Sequence, residues 1–475
     1  MTKVFLLFAA LAVAGMLFYV FVQWERTARE HWVVFLLVGL LIVESTLYGN
    51  FNDVPRGIFH PGSGSFQFRL PEVIITVALL ARLAVRGMPT RIGVPALMWA
   101  AVAAWWTLEA LEGLIRHNST VQLPYEAKAI VYVMGSYALA SGVPVRRFLD
   151  GRGIERTVRW SAVAATVLIL LTVSHKSYAA HLPLIPLTNF GTLGTDAATI
   201  FVVVGVIGLL LELAKESRSG LTLLATVPLL LSAFFAFQRA VLLMLGACVA
   251  FLVVVAMGRT ARERLRVRAG EVLITALAVV GVVLAVSVVP AITAQRPVST
   301  PFASTLGRAI NITLNSNGKA ESAQARLNKW SVSFSDARQH LILGEGLGFT
   351  YAYYVPGPNK FVTTDLTENI GLDLLLRTGI IGVILFVVAL GMSLVNGFAA
   401  WRLHPDRFVA VLALALVAVI IGFVAKGQVE SVFENYRLAT VLGLSLGMLR
   451  SAVTSAGGTL MAMRTYRDYR HYEVI

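Results

Sequence analysis

The chain alternates apolar runs long enough to cross a bilayer with short basic connections, and this restricts its backbone more than any other feature. Inside hydrocarbon every N–H and C=O must find a partner within the protein, so apolar runs of about 20 residues have to be helices. Such runs are read at 3–23, 32–49, 69–87, 93–111, 126–145, 159–174, 194–214, 220–237, 239–257, 271–292, 370–396, 407–425 and 436–453. They amount to about thirteen crossings. The first has only Lys3 as a basic leader and no clear cleavage site, so it reads as a crossing rather than a signal sequence. The expected fold class is all-α: one polytopic integral membrane bundle of about 12–13 helices, forming a single domain over residues 1–475.

Composition supports this class. Charged residues make up 14% of the chain against 57% hydrophobic, too little charge to cover a soluble protein of 475 residues. The net charge of +14 then belongs to loops facing an anionic leaflet, and no nucleic-acid partner is expected. Cys248 is the only cysteine and lies in an apolar run, which excludes disulfides and cysteine metal sites and leaves inert packing. Four basic clusters set the orientation: Arg82, Arg86 and Arg91; Arg146, Arg147, Arg152, Arg156 and Arg159; Arg259, Arg262, Arg264, Arg266 and Arg268; and Arg464, Arg467 and Arg470. All four fall on one side of the predicted bundle, which the positive-inside rule makes cytoplasmic. The loops 50–68, 175–193, 293–369 and 426–437 then face outward.

The stretch 293–369 is the exception to the pattern. It is polar, rich in Arg, Lys, Asn and Gly, and far longer than the other connections. A loop of that length inside a compact membrane protein is functional or disordered. Its motifs favour function, with short helices over the outer mouth of the bundle. Arg326 and Trp330 lie one helical turn apart. They read either as an interfacial amphipathic helix or as a guanidinium aimed at phosphate oxygens. Gly344, Gly346 and Gly348 alternate in a turn after His340, without the flanking strand and helix of a dinucleotide fingerprint. Asp365 and Glu368 have the spacing of a capping box ahead of the run from Ile370, yet a carboxylate at a helix mouth is also where a general base would sit. Arg239 follows a tight turn at the outer edge of the bilayer, as an interfacial anchor or a ligand for something anionic.

Taken in order, Arg239 after a spanning helix, Arg326-x-x-x-Trp330, the Gly344/Gly346/Gly348 turn, and Glu368-Asn369-x-x-Leu372 with Gly379-x-x-Gly382 resemble the O-antigen ligase and polymerase superfamily. The resemblance covers about residues 195–400. It implies a metal-free, cofactor-free membrane glycosyltransferase in a bacterial inner membrane with its active site facing the periplasm. The donor it implies is an undecaprenyl-pyrophosphate-linked glycan. The acceptor is a sugar hydroxyl on another lipid-linked glycan or on a lipid core, in contact with membrane lipids and other polysaccharide assembly proteins.

On that resemblance the expected catalytic residues are Glu368, Arg326 and Arg239. The arginines would neutralise the departing pyrophosphate and the carboxylate would take the acceptor proton. Asn369, Trp330, Gly344, Gly346, Gly348, Lys329, Arg338 and His340 are the expected substrate-binding set. Ligases of this family typically carry His-Asn where this chain has Glu368-Asn369. A carboxylate near 4.3 is a weaker base than imidazole, and a helix N-terminus lowers it further while burial raises it. The difference favours a polymerase of exopolysaccharide, capsule or O-antigen repeats, with an O-antigen ligase or a polysaccharide or lipid-carrier transporter as alternatives. A transporter would carry charges deep in its helices. Only Glu109, Glu212 and Asp373, near segment ends, stand out. The outward groups His175, Lys176 and His181, then Arg56, His60 and Arg69, then Lys426, Gln428, Glu430, Glu434 and Arg437, read as solvated loops. Lys319, Lys329 and Arg338 add positive charge to the long loop, which either steers an anionic substrate or forms a solvated face. The sequons at Asn118 and Asn311 read as chance.

Overall fold

The computed structural model describes residues 2–50, 69–87, 93–150, 153–179, 193–216, 219–236, 238–256, 320–355, 360–365, 367–430, 432–433 and 435–472. The expected crossing at 271–292, the basic cluster at 259–268, and Arg56, His60, Arg91, Arg152, His181, Asn311, Lys319 and Glu434 lie outside the described residues. So do the side chains of Arg239, His175, Lys176, Arg464, Arg467 and Arg470.

The described chain is helical apart from one hairpin. Its order is α1 (Thr2–Arg26), α2 (His31–Asn50), α3 (Leu70–Arg86), α4 (Val94–Ile115), α5 (Gln122–Ser141), α6 (Val145–Asp150), α7 (Gly153–Ala179), α8 (Thr195–Ala214), α9 (Gly220–Phe235) and α10 (Arg239–Ala256). Then come α11 (Ala320–Gln339), β1 (Tyr351–Val355), β2 (Lys360–Thr364), α12 (Ile370–Leu403), α13 (Arg407–Gly427) and α14 (Tyr436–Tyr472). Every predicted crossing within the described residues coincides with one of these helices. By length and composition alone α4, α8, α12, α13 and the stretch Tyr436–Ser455 of α14 are each able to span a bilayer. Together they make a polytopic all-α membrane bundle.

Helix boundaries follow local chemistry. Asn369 caps α12 by accepting from Gly371 N and Leu372 N, both at 3.0 Å. Asp406 caps α13 in the same manner, and α3 and α4 open on proline, whose missing N–H costs nothing there. Helix α13 is apolar on all sides and buried through almost its whole length, so it is the hub of the bundle. Helices α5 and α14 approach closely because Gly443 and Gly447 face Val133 and Tyr137 of α5. A Cβ at either glycine would strike the α5 backbone.

Charge is sorted to the two ends of the bundle. At one end Arg86 and Arg147 converge on Glu30, with Glu25 on Arg86 at 2.7 Å. At the other, Arg437 bonds Asp196 at 2.8 Å and approaches Glu44. Glu44 also accepts from the Tyr436 hydroxyl, and Arg69 stacks 3.8 Å over the Tyr436 ring. Three expectations change here. Arg69, Lys426 and Arg437 are not solvated loop residues: Lys426 is fully buried on Glu430, and the other two are fixed in the network just described. Buried charge is also more abundant than Glu109, Glu212 and Asp373, since Glu44, Glu126 and Arg377 are buried as well. Partners within reach make that burial tolerable. Finally, the described part of the long loop holds a 20-residue helix and an antiparallel hairpin rather than short helices only. The hairpin pairs Tyr351 with Thr364 and Val355 with Lys360. Aromatic and β-branched residues on both arms favour the extended form.

Candidate functional site

Helix α11 lies over the head of α12, fixed by a small apolar cluster of Ala337, Tyr351 and Leu376. One consequence is that two cations of α11 meet one carboxylate. Arg326 Nε donates to Glu368 Oε2 at 2.7 Å, and Lys329 Nζ donates to Glu368 Oε1 at 2.9 Å. Trp330 Nε1 donates to Thr367 O at 3.0 Å, which fixes the segment carrying Glu368 against the helix. Asn328 bonds Tyr354 O, and Lys329 sits 5.1 Å from the centre of the Tyr353 ring, so the hairpin closes the other flank.

Glu368 is not a cap. Asn369 performs that function, and Glu368 precedes it in the left-handed region at φ +56, a conformation unusual for a residue with a side chain. This geometry turns its carboxylate away from the helix and toward α11. Partial burial pushes the carboxyl up, but the bonds and charges of Lys329 and Arg326 outweigh it and hold it below its ordinary 4.5. At neutral pH the site is two cations sharing one anion. Among the described residues the terminal nitrogens of Arg326 make no bond, so this half-exposed guanidinium has open donors. Lys329 by contrast is buried.

Arg326, Lys329, Trp330, Glu368 and Asn369 therefore converge, although Asn369 spends its side chain on the α12 cap and on Gln428 O. The remaining sequence candidates do not join them. Arg338 lies over Phe334, nine residues and roughly 13 Å beyond Lys329 along α11. His340 bonds Glu345, whose other oxygen holds Arg116 at 3.1 Å.

Gly344, Gly346 and Gly348 are buried, with φ of +88, +76 and +79. They form a strap pressed on the backbones of three helices. Leu347 N donates to Glu109 O of α4, Gly346 N to Arg377 O of α12, and Gly348 N to the Glu126 carboxylate of α5. A Cβ at Gly346 would stand 2.8 Å from Gly113 N. The strap meets α12 where Gly379 (φ +61, ψ −171) breaks that helix in two. Arg239 begins α10, and its side chain is outside the described residues.

One cluster escaped the sequence reading as a unit. Arg377 Nε donates to Asp373 at 2.6 Å, and its Nη1 pairs with Glu126. Its Nη2 donates to Asp365 O at 2.6 Å. The sequence signal was available: Asp373 and Arg377 stand at i and i+4 inside an apolar run, where unpaired charge is expensive. Glu126, on a different helix, had no such local sign.

No curated protein gives a significant match to the chain. Residues 224–387 match the family model described as O-antigen ligase. That stretch is about a third of the chain and contains Arg326, Lys329 and Glu368, so the similarity to O-antigen ligases is a similarity of the part that forms the site.

Proposed function

We propose that this protein is a polysaccharide polymerase of the bacterial inner membrane. It moves glycan from an undecaprenyl-pyrophosphate-linked donor onto the hydroxyl of a second lipid-linked repeat. The observation that supports this most directly is the pair of α11 cations held on Glu368 at the head of α12. Breaking the bond between the anomeric carbon and pyrophosphate leaves an electron pair on a phosphate oxygen. Arg326, with open donors in a planar fork, and Lys329 beside it supply the charge that stabilises that oxygen. Arg239 is proposed to add a third positive charge.

Glu368 in its resting pairs is a weak base. Donor pyrophosphate competes for the same two cations, and as they turn to it the influence that lowers the Glu368 carboxyl falls away while burial stays. Its basicity then rises when the donor is in place. The carboxylate accepts the proton of the acceptor hydroxyl as that oxygen bonds the anomeric carbon. A carboxylate can thus serve where related ligases use histidine, with donor binding as the trigger.

The test uses purified protein in liposomes containing a lipid-linked oligosaccharide, read by glycan length and by free undecaprenyl pyrophosphate. Longer lipid-linked chains in wild type are expected, with loss of at least a hundredfold in rate for Arg326→Ala and Glu368→Gln, or about 2.7 kcal/mol of barrier. Arg326→Lys is expected to recover little, since it lacks the fork. Full activity in Glu368→Gln would remove the base assignment. Intact donor moved across the bilayer without glycan growth would favour transport instead.

A further inference from the structure

A second site lies beside the cationic one, and its chemistry is opposite. A cavity of about 260 Å³ opens between the start of α5, the middle of α4, the head of α12 and the segment before α14. It is lined by Trp106, Gln122, Tyr125, Asp365, Arg377 and Phe433, among others. Asp365 lies three residues before Glu368, so the two sites share one short segment of chain. From these features we infer that the cavity is the subsite for one uncharged sugar ring of the acceptor. The inference rests on the glycosyl-transfer reading above and specifies what that reading leaves open.

Three properties of the lining argue for this ligand. The first is aromatic surface: Trp106 and Phe433 lie with ring centres 5.8 Å apart and planes tilted by 55°, and Tyr125 stands at the mouth. A pyranose presents C–H groups on its faces and hydroxyls at its rim, and aromatic rings match those faces. Trp106 is held in place by its Nε1–H, which donates to Glu126 O at 3.1 Å.

The second property is free hydrogen-bonding capacity. The Gln122 amide, the Tyr125 hydroxyl and the Asp365 carboxylate make no side-chain hydrogen bond among the described residues. An amide, a phenol and a carboxylate together offer both donors and acceptors to vicinal hydroxyls. Size is consistent as well. At about 260 Å³ the cavity lies just below the usual range of ligand pockets, roughly 300–1,000 Å³, which suits one ring rather than a polyprenyl tail.

The third property is charge. Three carboxylates, from Glu126, Asp365 and Asp373, stand against two guanidiniums, Arg377 among them and Arg69 at 5.9 Å from the Tyr125 ring, so the formal balance stays negative by one. A net negative cavity repels pyrophosphate and uronic acids and accepts neutral sugars. The leaving group and the acceptor are thereby sorted to different sides of the Asp365–Glu368 segment by electrostatics alone.

The experiment records saturation-transfer NMR on full-length protein in detergent, without any lipid-linked donor. The probes are the methyl glycosides of glucose, galactose, mannose and N-acetylglucosamine, with methyl glucuronide as the acidic comparison. At least one neutral glycoside is expected to bind, to lose at least tenfold in affinity in Tyr125→Ala and in Gln122→Ala, and to bind at least tenfold more tightly than the glucuronide. Both variants alter side chains at the cavity mouth, and unchanged size-exclusion profiles confirm their fold. Binding that neither variant alters, a glucuronide that binds as well as the neutral sugars, or no binding by any of the four would each overturn the inference. The readout does not depend on turnover. Neutral-sugar binding in a protein that extends no glycan would leave the subsite standing and remove the transfer reading, and glycan growth with failed binding would do the reverse.

Discussion

Removing Arg377 should be the most destabilising single change near the site, and the structure gives its size. The guanidinium is fully buried and divides itself among Asp373, Glu126 and the Asp365 carbonyl. In Arg377→Met, Glu126 would retain only the bond from Gly348 N at 2.6 Å, and Asp373 would lose its 2.6 Å partner on the same helix. Two carboxylates would then be buried without a counter-charge. Breaking a buried pair from one side costs about 3–5 kcal/mol, or two to nearly four powers of ten in the folding equilibrium. The triple variant Arg377→Met, Glu126→Gln, Asp373→Asn removes both orphaned charges and should recover all but about 1–2 kcal/mol. Reversible unfolding of purified protein in mixed micelles, titrated with denaturing detergent, measures both. A single variant as stable as wild type, or a triple variant no better than the single one, would refute the reasoning.

Other outcomes follow from the same geometry. Because the Glu368 carboxyl is held below its unfolded value of 4.5, its contribution to docking α11 is present above that pH and lost as pH falls through the folded value. Melting temperature should therefore drop on acidification in wild type more than in Glu368→Gln, and equal slopes would count against the ion pairs. Gly346→Ala should cost at least about 2 kcal/mol, from about 1–2 for its left-handed backbone and the rest from a Cβ 2.8 Å from Gly113 N. Gly391→Ala, with nothing within 4 Å of its Cβ position, should be neutral or stabilising in the same unfolding titration. Cys248 is fully buried and donates to Ala418 O, so a maleimide should label it only after denaturation; labelling of the native protein would show that α10 and α13 separate.

The bundle was legible because the bilayer permits so few backbone solutions. Each described crossing lies within a few residues of the run that predicted it, and even the less apolar α4 and α14 are helices. The convergence of Arg326, Lys329, Trp330 and Glu368 was partly legible, since three of the four share one helical face and the fourth opens the next apolar run. Partnership across helices was not. Glu126 gives no local sign that it will meet Arg377, and Tyr125 and Gln122 look like ordinary residues at a helix start. The glycine turn was legible as a turn but its neighbours were not. Its spacing allows close backbone approach, and the approach is to the backbones of α4 and α12. A sequence reports that space is needed, not what fills it.

The break at Gly379 also sets where the segment that carries Glu368 sits along the bundle. The 24 residues from Ile380 to Leu403 span roughly 36 Å at about 1.5 Å per residue, enough for the hydrocarbon thickness of about 30 Å by themselves. The segment Ile370–Thr378 is therefore surplus to the crossing, a separate half-helix whose direction is free of the bilayer normal. Its amide end points at the segment that carries Glu368. The glycine acts as a depth gauge: moving it one turn along α12 would raise or lower the cationic pair by about 5 Å relative to the headgroups. That is comparable to the size of the phosphate group it is proposed to meet.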